Sequence, residues 1–292
     1  MATEALIKAV EQQEALDRIS DQIQPLVRDA FKSAGPAGRD VKNFLHGTWL
    51  GHPLHPALTD VPLGAWTAAL ALDAMESISG RRELGAGADA AIAVGLVGAA
   101  GAAVTGLTDW SETDGRARKV GMLHGLLNVG ATALYTTSLI LRRKKRRNAG
   151  MGFAMLGYAV SSASAYLGGH LVFSEQIGVN HAAAQEMPKE FVPVLPDAEL
   201  EEGEMKRADA GGVPVLLVRL EGNICALAHT CSHLGGPLSE GKLEGDVVEC
   251  PWHGSRFNVR DGSVVDGPAT FPQPCFEARV REGQIEVRSV DR

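Results

Sequence analysis

The sequence predicts an α + β multidomain chain: an N-terminal four-helix transmembrane bundle followed by a small antiparallel β domain. Three observations carry this expectation. Apolar, charge-poor runs fill the chain between about Leu54 and Phe173. Short β-type runs with turn signals follow them. Among those runs stand Cys231-Ser232-His233 and Cys250-Pro251-Trp252-His253, a C-x-H and a C-x-x-H with sixteen residues between them. The expected divisions are a helical segment over 1–43, a membrane domain over 44–175, a connector over 176–189 and the β domain over 190–292.

At 292 residues the chain has room for two domains with ample cores. A net charge of −7 gives no support for nucleic-acid binding. Four cysteines are too few for a disulfide scaffold at this length. The opening residues MATEALIKAVEQQEALDRIS lack the charged-then-apolar pattern of a secretory signal and show no twin arginine. Over residues 7–31, Ile7, Val10, Leu16, Ile19, Ile23, Leu26, Val27 and Phe31 recur at three- and four-residue steps. That spacing predicts one apolar stripe on a helix, suited to packing or to lying along a membrane surface. Gly35-Pro36 predicts its end.

Three runs then lack fixed charge: Ala90 to Thr108, Val120 to Leu141 with His124, and Met151 to Phe173 with His170. Each is long enough to cross about 30 Å of hydrocarbon as a helix. Leu54 to Met75 is a weaker fourth, because it carries Asp60 and Asp73. A buried helical hairpin in a soluble protein is the competing reading. Gly95, Gly98, Gly101, Ala102 and Gly106 favour the membrane, since small residues let helices approach closely there.

With antiparallel crossings, one side collects His52, His55, Asp60, Asp109, Trp110, His124 and His170. Ionisable residues at membrane depth are costly and point to function. His124 and His170 are therefore candidates for cofactor binding, as axial ligands of a haem b, as a quinone site, or as holders of a metal. The alternative is a set of interfacial histidines hydrogen-bonded to loops, with Trp110 as an interface anchor.

In the C-terminal region, Val213–Leu220 and Asn223–Leu227 flank Glu221-Gly222, and Phe276–Val280 and Gln284–Val287 flank Glu282-Gly283. Both read as hairpins. Asp246–Glu249 is a further strand. Many short strands imply a small antiparallel sandwich or barrel. Two cysteines and two histidines in paired loops suit a Rieske-type [2Fe-2S] centre, in which Cys holds one iron and His the other. The metal ligands expected are Cys231, His233, Cys250 and His253. A Cys2His2 zinc site is the alternative, though zinc favours other spacings. Cys225 and Cys275 read as buried free thiols.

Two family resemblances bear on these motifs. FLHGTWLGHPLHPALTDVPLGAWTAALALD resembles a family of bacterial four-helix membrane domains of unassigned function, over roughly residues 44–173. CSHLGGPLSEGKLEGDVVECPWHGSRFNVRDGSVVDGPAT resembles soluble bacterial Rieske ferredoxins, over about 190–290. The second likeness implies the Rieske β fold, with Cys231 and Cys250 on the inner iron and His233 and His253 on the outer. It also makes Gly267-Pro268-Ala269 the loop that covers the cluster. High-potential respiratory relatives carry an extra cysteine pair across the two loops. Leu234-Gly235-Gly236 and Trp252 stand in those places here, which implies a ferredoxin-like or intermediate potential. Ser255 is a candidate hydrogen-bond donor to the cluster.

The expected function is a membrane-anchored one-electron carrier with one Rieske [2Fe-2S] cluster. It would exchange electrons with a redox protein, or with a haem or quinone at the histidine side of the bundle. A membrane redox sensor or anchor and a ferredoxin serving a separate oxygenase are the alternatives. A complete oxygenase would need a mononuclear iron held by two histidines and a carboxylate, and residues 254–292 contain no histidine. The chain is thus expected to be an electron-transfer component, multi-pass in the cell inner membrane. Arg81-Arg82 and the basic run 142–147 lie opposite the histidines. The positive-inside rule assigns those loops to the cytoplasm and the β domain to the other face. Arg116, Arg118, Lys119 and the lack of an export signal speak for the reverse, so the sequence leaves sidedness open.

Overall fold

The computed structural model describes residues 2–183 and 187–290. Residues 184–186 of the expected connector lie outside the described residues, as do the chain ends at 1 and 291–292. The described residues form seven α-helices and ten strands. They divide into two compact units. One comprises 1–38 and 54–177, and the other 39–53 and 178–292. Residues 39–53, grouped by sequence pattern with the helical segment and the bundle, thus cluster with the C-terminal residues.

In the first unit the expected N-terminal helix is two helices, α1 (Ala2–Glu11) and α2 (Glu14–Ser33), because the chain breaks at Gln12-Gln13. Gly35 adopts φ +57° after α2, and α3 (Gly35–His46) starts there with Pro36 in its first turn, where no N–H is needed. Ile7, Val10 and Leu16 bury against Trp110, Val120, Met122 and Leu167, so the stripe is a packing surface.

The four apolar runs are helices α4 (Leu54–Ser79), α5 (Arg82–Trp110), α6 (Gly115–Arg143) and α7 (Arg147–Phe173). Helix α4 packs chiefly on α5, and α6 on α7. Glycines set the close approaches: a Cβ at Gly95 would lie 2.2 Å from Trp66, and one at Gly106 2.6 Å from His55. Among the described residues α5 alone is long and apolar enough to cross a membrane by length and composition. Asp60, Asp73 and Glu76 on α4, the basic ends of α6, and the serines and glycines of α7 dilute the hydropathy of the others.

The burial pattern of the bundle is inverted. Thr105, Thr108, Ser138, Ser161 and Ser164 are buried, whereas Val94, Val97, Val129 and Leu156 face outward, Val97 being 76% exposed. At one end Arg142 and Arg147 pair with Asp73, Glu76 and Asp89, joining all four helices.

The second unit is antiparallel β. One sheet runs β1-β10-β9-β4-β3-β2 and the other β5-β6-β7-β8. The strands of the first are β1 (Val192–Pro196), β2 (Met205–Asp209), β3 (Pro214–Leu220), β4 (Asn223–Ala228), β9 (Cys275–Arg281) and β10 (Gln284–Ser289). Those of the second are β5 (Lys242–Glu244), β6 (Val247–Glu249), β7 (Arg256–Asn258) and β8 (Val264–Asp266). Both expected hairpins form. Glu221 and Gly222, and Glu282 and Gly283, all have positive φ, as a two-residue turn between twisted strands requires. Strand β3 is apolar on both faces. Val215 and Leu217 enter one core with Phe276 and Ile285, while Leu216 and Val218 enter a second with Val248, Phe257, Cys231 and Cys250.

Candidate metal centre

The two expected ligand pairs sit in two loops of the second unit. Cys231-Ser232-His233 follows β4, and Cys250–His253 links β6 to β7. The loops are built alike. The Cys231 carbonyl accepts from Gly235 N–H at 2.9 Å, and the Cys250 carbonyl from Gly254 N–H at 3.1 Å. Both glycines are left-handed, φ +80° and +72°, a backbone that other residues adopt at a cost. Gly236 lies so close that a Cβ would stand 2.7 Å from Cys250 Sγ.

The four side chains form two facing pairs. Both thiols are buried and face each other, and the His233 and His253 rings stand edge to face at 5.0 Å. The imidazoles are half-buried, on the side of the exposed Trp252. The hydrogen bond from Cys231 lowers the Cys250 thiol to about 7, helped by the backbone N–H groups of Trp252 and His253. The same bond, then burial, raises Cys231, whose sulfur faces the N–H groups of His233 and Leu234. Burial, followed by the neighbouring His253, His46, His181 and Lys42, pushes His233 well down and keeps its ring neutral. His233 Nδ1 is buried without a hydrogen-bond partner among the described residues.

Residues 190–277 match the family described as the Rieske [2Fe-2S] domain. Ferredoxin CarAc of Metapseudomonas resinovorans is 37% identical over 98 residues, spanning 33% of this chain and 92% of that protein. The chain belongs to the Rieske [2Fe-2S] family. The ferredoxin component of biphenyl 2,3-dioxygenase from Rhodococcus jostii (strain RHA1) is 37% identical over 94 residues, 32% of this chain and 88% of that one. A solved complex of reduced oxygenase and oxidised ferredoxin in carbazole 1,9a-dioxygenase aligns at 36% identity over 34% of this chain and 92% of that chain, with a TM-score of 0.32. Residues 51–181 match a second family, described as "Predicted membrane protein (DUF2231)".

The site fits a Rieske cluster. Thiols are buried beneath backbone N–H groups that favour anionic sulfur, and an orphaned imidazole nitrogen is left for a ligand. Among the described residues no three His, Cys, Asp or Glu side chains converge on one metal position. Two irons with two ligands each suit that spacing better than a single tetrahedral zinc.

Ser255, read from sequence as a donor to the cluster, accepts the Ala269 N–H at 3.0 Å on its hydroxyl. It therefore ties the loop after β8 to the residues that follow Cys250–His253. His229 is buried and its Nδ1 lacks a partner among the described residues, outside the ligand set.

Gln273 escaped sequence reasoning. Fully buried, its amide accepts from Ser232 N–H at 3.0 Å and donates to the carbonyls of Ala228 and Thr230. No motif flags it, because its partners lie more than 40 residues away. Gln273→Leu should strand these backbone groups at about 1–3 kcal/mol each. We expect a clear fall in melting temperature and faster cluster loss on dilution into chelator.

The bundle histidines are placed differently. His124 Nδ1 donates to the Ser164 carbonyl at 2.8 Å, and its Nε2 is 3.1 Å from Asn128 Nδ2. His170 Nε2 bonds Glu175 at 3.1 Å. His55, not His170, is the ring beside His124, edge-on at 6.3 Å. The His124 ring is thus held by the Ser164 carbonyl and the Asn128 amide, and the His170 ring by the Glu175 carboxylate.

Proposed function

We propose that this protein is a membrane-anchored one-electron carrier. In this reading Cys231 and Cys250 hold one iron of a single [2Fe-2S] cluster, and His233 and His253 the other. The cluster, when bound, takes up and releases one electron, at a potential raised by two neutral imidazoles in place of thiolates. Two like-built Cys–His loops, with buried thiol facing thiol and half-buried imidazole facing imidazole, carry this reading.

The protein's own groups do the rest. Backbone N–H groups around the sulfurs offset negative charge gained on reduction. Buried Leu238, Val248 and Phe257 keep water from the thiol side. His253, next to Trp252, marks the edge where a partner would dock, since Trp252 is 58% exposed. Relatives named as dioxygenase ferredoxin components favour a redox protein as partner, a separate oxygenase being the acceptor class.

The inverted burial of the bundle supports the anchor. An apolar exterior around a polar interior suits lipid as solvent, and the family match to a membrane domain agrees. We read α4–α7 as four inner-membrane crossings, with α5 the most apolar. Neither His124 nor His170 has a part in this reading.

Optical and EPR spectra of detergent-purified protein, oxidised and reduced, test the cluster. Sedimentation with membranes at high salt and at alkaline pH tests the anchor. His253→Cys adds a second anionic ligand to the outer iron. Any cluster that assembles should then be harder to reduce, and an unchanged potential would contradict the ligation.

A further inference from the structure

The Rieske family match covers residues 190–277, yet residues 39–53 cluster with the same unit. The helix end at Asn43–His46 and the turn through Thr48 lie against the loop after β8. Asn43 makes two bonds there. Its Nδ2 donates to Asp266 Oδ1 at 2.8 Å, and its Oδ1 accepts Gly267 N–H at 2.9 Å. Arg39 and Arg256 also approach Asp266, at 3.7 and 3.3 Å. The fit is tight. A Cβ at Gly267 would stand 3.0 Å from Thr48 and 3.4 Å from His46.

We propose that Asn43 is a positioning residue for the cluster, holding the Asp266–Ala269 loop at Asp266 and Gly267 while Ser255 holds it at Ala269. A side-chain amide is suited to this role because one planar group donates to a carboxylate and accepts from a backbone N–H. Aspartate or alanine at 43 cannot do both. The inference rests on the cluster reading above.

The test uses full-length protein in detergent. Asn43→Ala and Asn43→Asp should speed hydrogen exchange in a peptide covering 264–271 by roughly tenfold or more. Both should also shift the reduction potential and the EPR signal. The exchanged pair Asn43→Asp with Asp266→Asn rebuilds both hydrogen bonds with the groups reversed, and should restore exchange and potential toward wild type. Single variants that match wild type in both readouts overturn the proposal. If exchange also rises across β3 and β4, general unfolding is present and the exchanged pair decides: recovery supports the proposal, and its failure overturns it. Wild-type protein without iron and acid-labile sulfide overturns both readings. A normal cluster with indifferent Asn43 variants overturns this one alone.

Discussion

Purified Cys231→Ser protein should contain almost no iron and no acid-labile sulfide, against about two of each per chain in wild type. Cys231 is 1% exposed, its thiol faces Cys250, and the N–H groups of His233 and Leu234 face its sulfur. Serine fits the space but supplies a hydroxyl too basic to act as a thiolate at neutral pH. The inner iron would keep one protein ligand where two are needed. Cys225→Ser and Cys275→Ser are the controls, since these half-buried thiols lie on β4 and β9 outside the two loops. Both should retain full iron and the visible absorbance. Iron, sulfide and spectrum assayed on the same preparations give the answer. Wild-type content in Cys231→Ser would remove the inner iron from the assignment.

Arg142→Met should cost the bundle about 3–5 kcal/mol. The Arg142 side chain has no exposed surface, and it bonds both oxygens of Asp73 on α4 and one of Asp89 on α5. Methionine matches its apolar stem but removes the charge. Asp73, itself buried, would keep only Arg147, which reaches its Oδ1 at 3.2 Å. Removing one partner of a buried ion pair is costly because the other stays buried without compensation. Asp89 is partly exposed, so Asp89→Asn should cost much less. Arg143→Met, one residue along and exposed, should stay within about 0.5 kcal/mol of wild type. Thermal unfolding in detergent, followed by helix signal, ranks the three. Equal melting of Arg142→Met and Arg143→Met would mean that the network contributes little.

The chain made its local structure plain. Apolar runs of helical length became α4 to α7, and Glu221-Gly222 and Glu282-Gly283 became tight turns in which glycine takes the second positive-φ position without steric cost. The Cys–His pairs named the centre, since ligand type and spacing are written in consecutive residues. The edge strands β1 and β2 and the short strands β5, β7 and β8 were less legible, having three to five residues each and weak alternation. The break at Gln12-Gln13 carries no glycine or proline to announce it.

Tertiary structure alone decided the rest. It took Arg142 and Arg147 out of the basic loop and paired them with carboxylates, Arg142 buried and Arg147 partly so, which weakens a count of loop charge as a guide to sidedness. It paired His124 with Ser164, Asn128 and the neighbouring His55 ring, and gave His170 to Glu175. It set Gln273 beneath one ligand loop and brought Asn43 to Asp266, 223 residues away. Periodicity and turn chemistry act over a few residues, so a single strand of text displays them. A hydrogen bond between distant polar side chains depends on where two folded surfaces meet, and neither residue carries a local trace of its partner.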